Sequence, residues 1–371
     1  MELVRGTCAA ADLRRLIDAG HISSDAGISE DQIQPASLDL SLAAEAYRMP
    51  GSILPLAGER VRDLITSLAI DRLTLSGPTC LARHQVYLVR LRERLDLPDG
   101  VEAYTNSKSS TGRIDLATRV ISDGSPRYDR LSPGYSGELW LEIIPRGFDV
   151  LVHSGLSLNQ AIVFHRRQIL DSAGLMARWP QQPLLFDPAG QPLEASAAVR
   201  DDRVVMSADL DAAVVGWVAK RSHLPLRLEG LARHKAQDFF TPLPRPPSGY
   251  LFLEKDRFYI LATWERICVP ADCACEMIPY DATAGEFRAH YAGFFDPGWG
   301  LGGDGCGTRA VLEIRPHEDD LILRHRQPIC GMAYETLSSP CPQADLYGQR
   351  GNNYASQQGP QLSKWFRSEP G

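Results

Sequence analysis

Three short segments of the 371-residue chain bring together residue types that can do chemistry. In Ser107-Lys108-Ser109-Ser110-Thr111-Gly112-Arg113, hydroxyls, a small turn residue and two cations fall within seven positions. That composition suits a cradle for phosphate or another polar ligand, and it equally suits a plain turn. In Asp129-Arg130-Leu131-Ser132-Pro133-Gly134-Tyr135-Ser136-Gly137, the Pro-Gly pair predicts a hairpin tip. In Glu138-Leu139-Trp140-Leu141-Glu142-Ile143, strand alternation puts Glu138, Trp140 and Glu142 on one face. Glu142 is then either solvated or buried, and a buried unpaired charge is costly enough to need a reason.

The glutamate segment occurs twice. Leu141-Glu142-Ile143-Ile144-Pro145-Arg146 returns as Leu312-Glu313-Ile314-Arg315-Pro316-His317, 171 residues later. Asp149-Val150-Leu151-Val152 faces Asp320-Leu321-Ile322-Leu323 in the same register. Upstream, Ser37-Leu38-Asp39-Leu40 faces Ser207-Ala208-Asp209-Leu210 at an offset of 170. The period is too long for a solenoid and predicts a tandem duplication, with domains at 1–185 and 186–371.

The elements that must position these segments are short. Residues 9–19 read as an amphipathic helix, with Leu13, Leu16 and Ile17 on one face and Gly20 closing it. Beyond it, brief apolar or alternating runs are punctuated by glycine and proline, which number 31 and 26 in the whole chain, along with Asp and Ser. The fold class this predicts is all-β, mainly strands with a few short helices, a sandwich or barrel in each half. The proline-bearing stretch 170–203 reads as a connection and 241–248 as a loop. The polar tail after Cys341 reads as a flexible end or a lid.

Bulk properties narrow the partners. A net charge of −7 and a pI near 5.8 disfavour a broad nucleic-acid or acidic-membrane surface. They are compatible with a small anion held by local cations. No basic start with an apolar run suggests export, and no stretch of about 18 apolar residues suggests a membrane span. The expected location is the cytoplasm, with the eight cysteines as reduced thiols. Cys268, Cys273 and Cys275 form the one cluster, and their spacing fits strand residues better than a zinc site.

Taken in order, the motifs resemble the dCTP deaminase and dUTPase superfamily, and most closely its long, duplicated bacterial dCTP deaminases. Gln34-Pro35-Ala36-Ser37-Leu38-Asp39-Leu40 resembles the family's opening strand. Lys108-Ser109-Ser110-Thr111-Gly112-Arg113 is similar to its Arg-Ser-Ser-x-x-Arg segment, with lysine for the first arginine. Pro133-Gly134-Tyr135-Ser136-Gly137 with Leu141-Glu142 resembles its hairpin and catalytic strand, and Tyr354-Ala355-Ser356-Gln357-Gln358-Gly359 its closing tail. The resemblance implies two tandem dUTPase-like distorted β-barrel or jelly-roll domains. It also implies a trimeric or pseudo-trimeric homo-oligomer with sites between barrels, and conversion of dCTP and water to dUTP and ammonia.

By the same resemblance Glu142 is the general base that takes a proton from water and passes it to the leaving amine. Ser109 holds the water or the base edge, and Arg113 orients the glutamate and stabilises developing charge. Lys108, Ser110, Arg130, Tyr347, Tyr354 and Gln357 are candidate substrate contacts, with Mg²⁺ accompanying the triphosphate. A zinc route would need a His-x-Glu segment and a Pro-Cys-x-x-Cys segment; the chain lacks the first, and Pro340-Cys341-Pro342-Gln343-Ala344 lacks the second cysteine.

The halves depart from the pattern differently. The first keeps the Ser-Ser-x-x-Arg segment, but its 121–132 hairpin is long, and counting back from the glycine puts Tyr128 where the family has alanine. The second keeps Ala292 at that place but lacks the cradle, and an insertion at 301–307 precedes Glu313. Either the first half works with Ser109, Ser110, Arg113 and Glu142, or a composite site pairs its cradle with Ala292 and Glu313. Closed symmetry favours the former, since a ring of three cannot alternate two kinds of barrel. Two other readings stay open: a dUTPase or bifunctional enzyme with Asp123 or Asp129 activating water, and an inactive nucleotide-binding regulator.

Overall fold

The structure, a computed structural model, describes residues 4–279, 293–349 and 353–367. It divides into two compact units. The first runs to Arg167 and also takes in Arg221–Lys235 and the segment from Ser363 onward; the second is Gln168–Lys220 with Ala236–Leu362. The division therefore falls near residue 168 rather than 185, and the first unit is assembled from three stretches of chain. One reason is explicit in the hydrogen bonding: Leu226–Arg227 pairs in parallel with Val150–Val152.

In the first unit, helix α1 (Ala10–Asp18) follows Ala9, whose N–H donates to Asp12 Oδ2 at 3.2 Å. Then come β1 (Leu38–Met49), α2 (Val61–Leu68), β2 (Val86–Asp96) and β3 (Val101–Ser107). The one-turn helix α3 (Ser109–Gly112), β4 (Leu116–Ser122), β5 (Ser136–Pro145) and β6 (Ser157–His165) complete it. The sheet order is β4-β5-β2-β1-β6-β3, with Arg130–Leu131 beyond β3.

Asp129 closes this sheet into a near-complete barrel. Its backbone N–H donates to Val120 O at 2.9 Å and its carbonyl accepts from Thr105 N at 3.2 Å. Its Oδ1 accepts from Thr105 Oγ1 at 2.7 Å and from Val120 N at 2.8 Å. One residue thus links β3 to β4, with a φ of 57° that an aspartate tolerates better than most side chains. Burial pushes its carboxyl from 3.8 up to about 6, against the hydrogen bonds from Thr105 and Val120 that pull it down. The folded state then holds this proton more tightly than the unfolded chain. Stability from this group is full below about pH 4 and declines as pH rises to about 6. Asp129→Asn keeps an acceptor oxygen, and its denaturation midpoint is expected to be flatter than the wild type's between pH 4 and 6. Parallel curves would count against the assignment.

The second unit repeats the plan with α4 (Ser172–Arg178), β7 (Arg203–Ser207), β8 (Tyr259–Ile267), β9 (Cys273–Pro279), β10 (Thr308–Ile314) and β11 (Pro328–Thr336). The duplication is visible bond by bond. Ala82 N donates to the Tyr87 hydroxyl, and Glu254 N to the Tyr259 hydroxyl. Arg83 N donates to Asp149, and Lys255 N to Asp320. Thr105 N donates to Asp129 O, and Met277 N to Gly293 O, so residues 128 and 292 hold the same place in the count.

Three further expectations change. The 241–248 stretch, expected as a loop, begins as strand, since Phe240–Pro244 pairs antiparallel with Val214–Ala219. The Ser-x-Asp-Leu repeat is out of register: Ser41 N and Oγ donate to Glu93, and the matching residue, Ser207, does the same to Glu265. Ser207 therefore corresponds to Ser41 rather than Ser37. Residues 170–203 are also part of the fold rather than a connection. Leu175, Trp179, Leu184, Leu185, Ala198 and Val199 are buried in the second unit's core, and burying a Leu or Val side chain contributes about 1.5–3 kcal/mol.

Candidate active site

β5 runs between β4 and β2, which puts Glu142 opposite Arg119 on one side and Leu88 on the other. Both faces of the strand are covered. Trp140 packs with Met49, Val61, Ile65, Leu88 and Ile121, so α2 covers the side that an edge of the barrel would otherwise show to water. Arg62 holds that helix down through Glu138 at 2.7 Å and lies 5.2 Å from the Trp140 ring centre. Glu142 is only 1% exposed, which rules out the solvated reading.

The cation on Glu142 is Arg119. Its Nε donates to Glu142 Oε1 at 3.0 Å and a terminal nitrogen donates to the same oxygen. The other oxygen, Oε2, is buried with no hydrogen-bond partner among the described residues, an arrangement that costs about 1–3 kcal/mol when nothing compensates it. The Arg119 guanidinium lies 3.9 Å from the Tyr128 ring centre and reaches Ser52 Oγ at 3.3 Å. Burial, then the Glu142 charge, pushes the Tyr128 hydroxyl pKa up. No local sequence signal marks Arg119; the family resemblance offers Arg113 for the orienting role. Arg113 is itself buried on the turn that leads into β4.

The cradle is that turn. Thr111 N and Gly112 N donate to Lys108 O, Arg113 N donates to Ser109 O, and Thr111 Oγ1 donates to Leu158 O. Ser110 is buried, while the half-buried Ser109 hydroxyl makes no hydrogen bond among the described residues. Lys108 pairs with Asp39. Arg130 is exposed, 5.3 Å from the Tyr104 ring centre.

In the second unit Glu313 is buried on β10 opposite Ile260, the position matching Glu142. Ala292 lies outside the described residues. The tail residues pack on their own unit. Tyr347 N donates to Pro297 O, its ring 4.9 Å from that of Trp299. Tyr354 is in the core, and Gln357 Nε2 donates to Arg309 O at 2.6 Å. Cys273 and Cys275 are buried core residues of β9. Burial raises both thiols, Cys273 to about 12, which makes neither a ready thiolate. No group of three potential metal ligands occurs among the described residues, and none of their helices is long and apolar enough to cross a membrane.

Both hairpin aspartates carry structural hydrogen bonds. Asp123 Oδ1 accepts from Val61 N at 2.8 Å at the start of α2, and Asp129 is committed to closing the barrel.

Two copies of one near-closed β fold, the first with a buried glutamate–arginine pair, define a duplicated protein of the dUTPase-like class. Residues 4–168 match the N-terminal domain of 2'-deoxycytidine 5'-triphosphate deaminase and residues 178–366 its C-terminal domain. The chain belongs to the 2'-deoxycytidine 5'-triphosphate deaminase family. It superposes on the crystal structure of 2'-deoxycytidine 5'-triphosphate deaminase from Agrobacterium tumefaciens with a TM-score of 0.87 and 36% identity, covering 93% of this chain and 99% of that one. A dUMP-forming dCTP deaminase of Methanosphaera stadtmanae is 26% identical over 36% of this chain and 64% of its own length. A dCTP deaminase of Haloarcula marismortui is 26% identical over 40% of this chain and 75% of its own.

Proposed function

We propose that the chain hydrolyses dCTP at C4 of cytosine, giving dUTP and ammonia, with Glu142 as general base. The observation that carries this reading is the state of the Glu142 carboxylate. One oxygen is fixed by Arg119, while the other is buried and makes no hydrogen bond among the described residues. The partnered oxygen fixes the orientation, and the unpartnered one can accept a proton from the attacking water and pass it to the departing amine. The carboxylate does for water what zinc does in deaminases with His-x-Glu and Pro-Cys-x-x-Cys segments, which this sequence lacks.

The Lys108–Arg113 turn is the triphosphate and base cradle, with the unpaired Ser109 hydroxyl facing substrate and Mg²⁺ arriving on the nucleotide. The working assembly is a homo-oligomer in which barrels of neighbouring chains complete each site, located in the cytoplasm. Release of ammonia from dCTP with Mg²⁺, with dUTP accumulating, is the expected result; ammonia-free binding of dCTP would indicate a regulator instead.

The product should remain dUTP. Each aspartate that could activate water for attack on the α-phosphate holds structural hydrogen bonds through its Oδ1, in contrast to what the name of the Methanosphaera relative says of that protein. Pyrophosphate formed alongside ammonia would overturn this. Glu313 is read as structural, because its half lacks the Ser-Ser-x-x-Arg turn. Glu313→Gln is expected to leave kcat for dCTP within about twofold of wild type, whereas a general base contributes about 10²–10⁴. Loss of turnover on that change alone would move the site to the composite arrangement.

A further inference from the structure

The cradle is not built from one stretch of sequence. The segment from Ser363 onward returns to the first unit. There, Ser363 Oγ donates to the Ser110 carbonyl at 2.9 Å in a buried position. The following residues are held by a ladder: Ala232 N donates to Lys364 O, Arg233 N and His234 N to Trp365 O, and Arg367 N to His234 O. Trp365 is 1% exposed, and the Phe366 ring packs 6.1 Å from His234. Lys364 is therefore clamped on both sides, by Ser363 on the cradle turn and by Trp365 in the core.

We propose that Lys364 is a further anion-binding residue of the cradle, acting with Lys108 on the polyphosphate of the substrate. This rests on the reading of the Lys108–Arg113 turn as the phosphate site. The Lys364 ammonium lies 5.7 Å from the Trp365 ring centre, on the strap that Ser363 ties to the cradle turn. Burial and then the charge of Lys108 lower the Lys364 pKa, and Asp39 opposes them. Asp39 is itself bound to Lys108. Bringing a second ammonium into a desolvated position beside the first works against folding. A polyanion between them reverses the sign of that interaction, because each phosphate oxygen accepts charge-assisted hydrogen bonds from both. Nothing in the linear motif signals this lysine, which lies about 250 residues beyond the turn it serves.

Two measurements on the full chain test it. Titration calorimetry with inorganic tripolyphosphate should show roughly tenfold weaker binding for Lys364→Met, the size of one charge-assisted contact, and recovery for Lys364→Arg. For dCTP the same change should raise KM with kcat preserved, while thermal stability stays equal or rises, which a merely structural lysine would not do. In the wild-type protein, tripolyphosphate should protect Lys364 from an amine-acylating reagent, read by peptide mass spectrometry. Unchanged affinity in Lys364→Met, or unchanged labelling in the wild type should the variant fail to fold, overturns the proposal. Lys364-dependent tripolyphosphate binding in a protein that releases no ammonia from dCTP would instead overturn the deaminase reading and leave this one standing.

Discussion

Glu142→Gln is expected to lower kcat for ammonia release from dCTP by about 10³-fold or more, with KM changed little. The amide has the shape of the carboxylate and still accepts a hydrogen bond from Arg119, so the site should stay assembled. What it loses is the ability to take up a proton, and general-base groups contribute about 10²–10⁴ to rate. Because β5 is buried on both faces, circular dichroism and a melting curve must accompany the assay; a folded, dCTP-binding, inactive protein is the outcome required. A variant retaining more than a tenth of wild-type kcat would remove Glu142 from the mechanism.

The second large effect is expected at Arg119. Replacing it with methionine keeps much of the packing against Tyr128 but leaves a 1%-exposed carboxylate without its cation. Removing one partner of a buried pair destabilises by about 3–5 kcal/mol. The Arg119 side chain is itself 33% exposed, so the lower end of that range applies, about 3 kcal/mol. Turnover should fall with the loss of orientation, and Arg119→Lys should restore stability better than rate, because lysine returns the charge without the two-nitrogen fork. Urea denaturation and dCTP kinetics on the same preparations measure both. If Arg119→Met is as stable and as active as wild type, the pair is incidental.

The class of fold and the duplication were legible from short alternating runs and from one repeated hexapeptide around each glutamate. What could not be read was register. Arg119 sits between Thr118 and Val120 with nothing local to mark it. It becomes the partner of Glu142 only because β4 pairs with β5 at that offset. The Ser-x-Asp-Leu match misled for the same reason: the chain reused a tetrapeptide four residues away from its structural counterpart. The structure also tempers the weight given to a glutamate present in both halves. Glu93 and Glu265 are a second such pair, and each accepts bonds from a serine hydroxyl and backbone N–H. Burial raises the pKa of both. Their duplication reflects architecture. What separates Glu142 from them is the oxygen that finds no hydrogen-bond partner among the described residues, a property no alignment of one half on the other displays.

The return of residues 363–367 to the first unit has a consequence for biosynthesis. A ribosome adds roughly 5–20 residues per second, so on the order of ten to forty seconds separate completion of β6 from the emergence of Ser363. During that interval whatever forms of the first barrel lacks the indole of Trp365 and the hydroxyl that meets Ser110. The half translated first is thus the half finished last, and a nascent chain that lacks the final dozen residues carries every residue of the Ser-Ser-x-x-Arg motif without the segment that braces it.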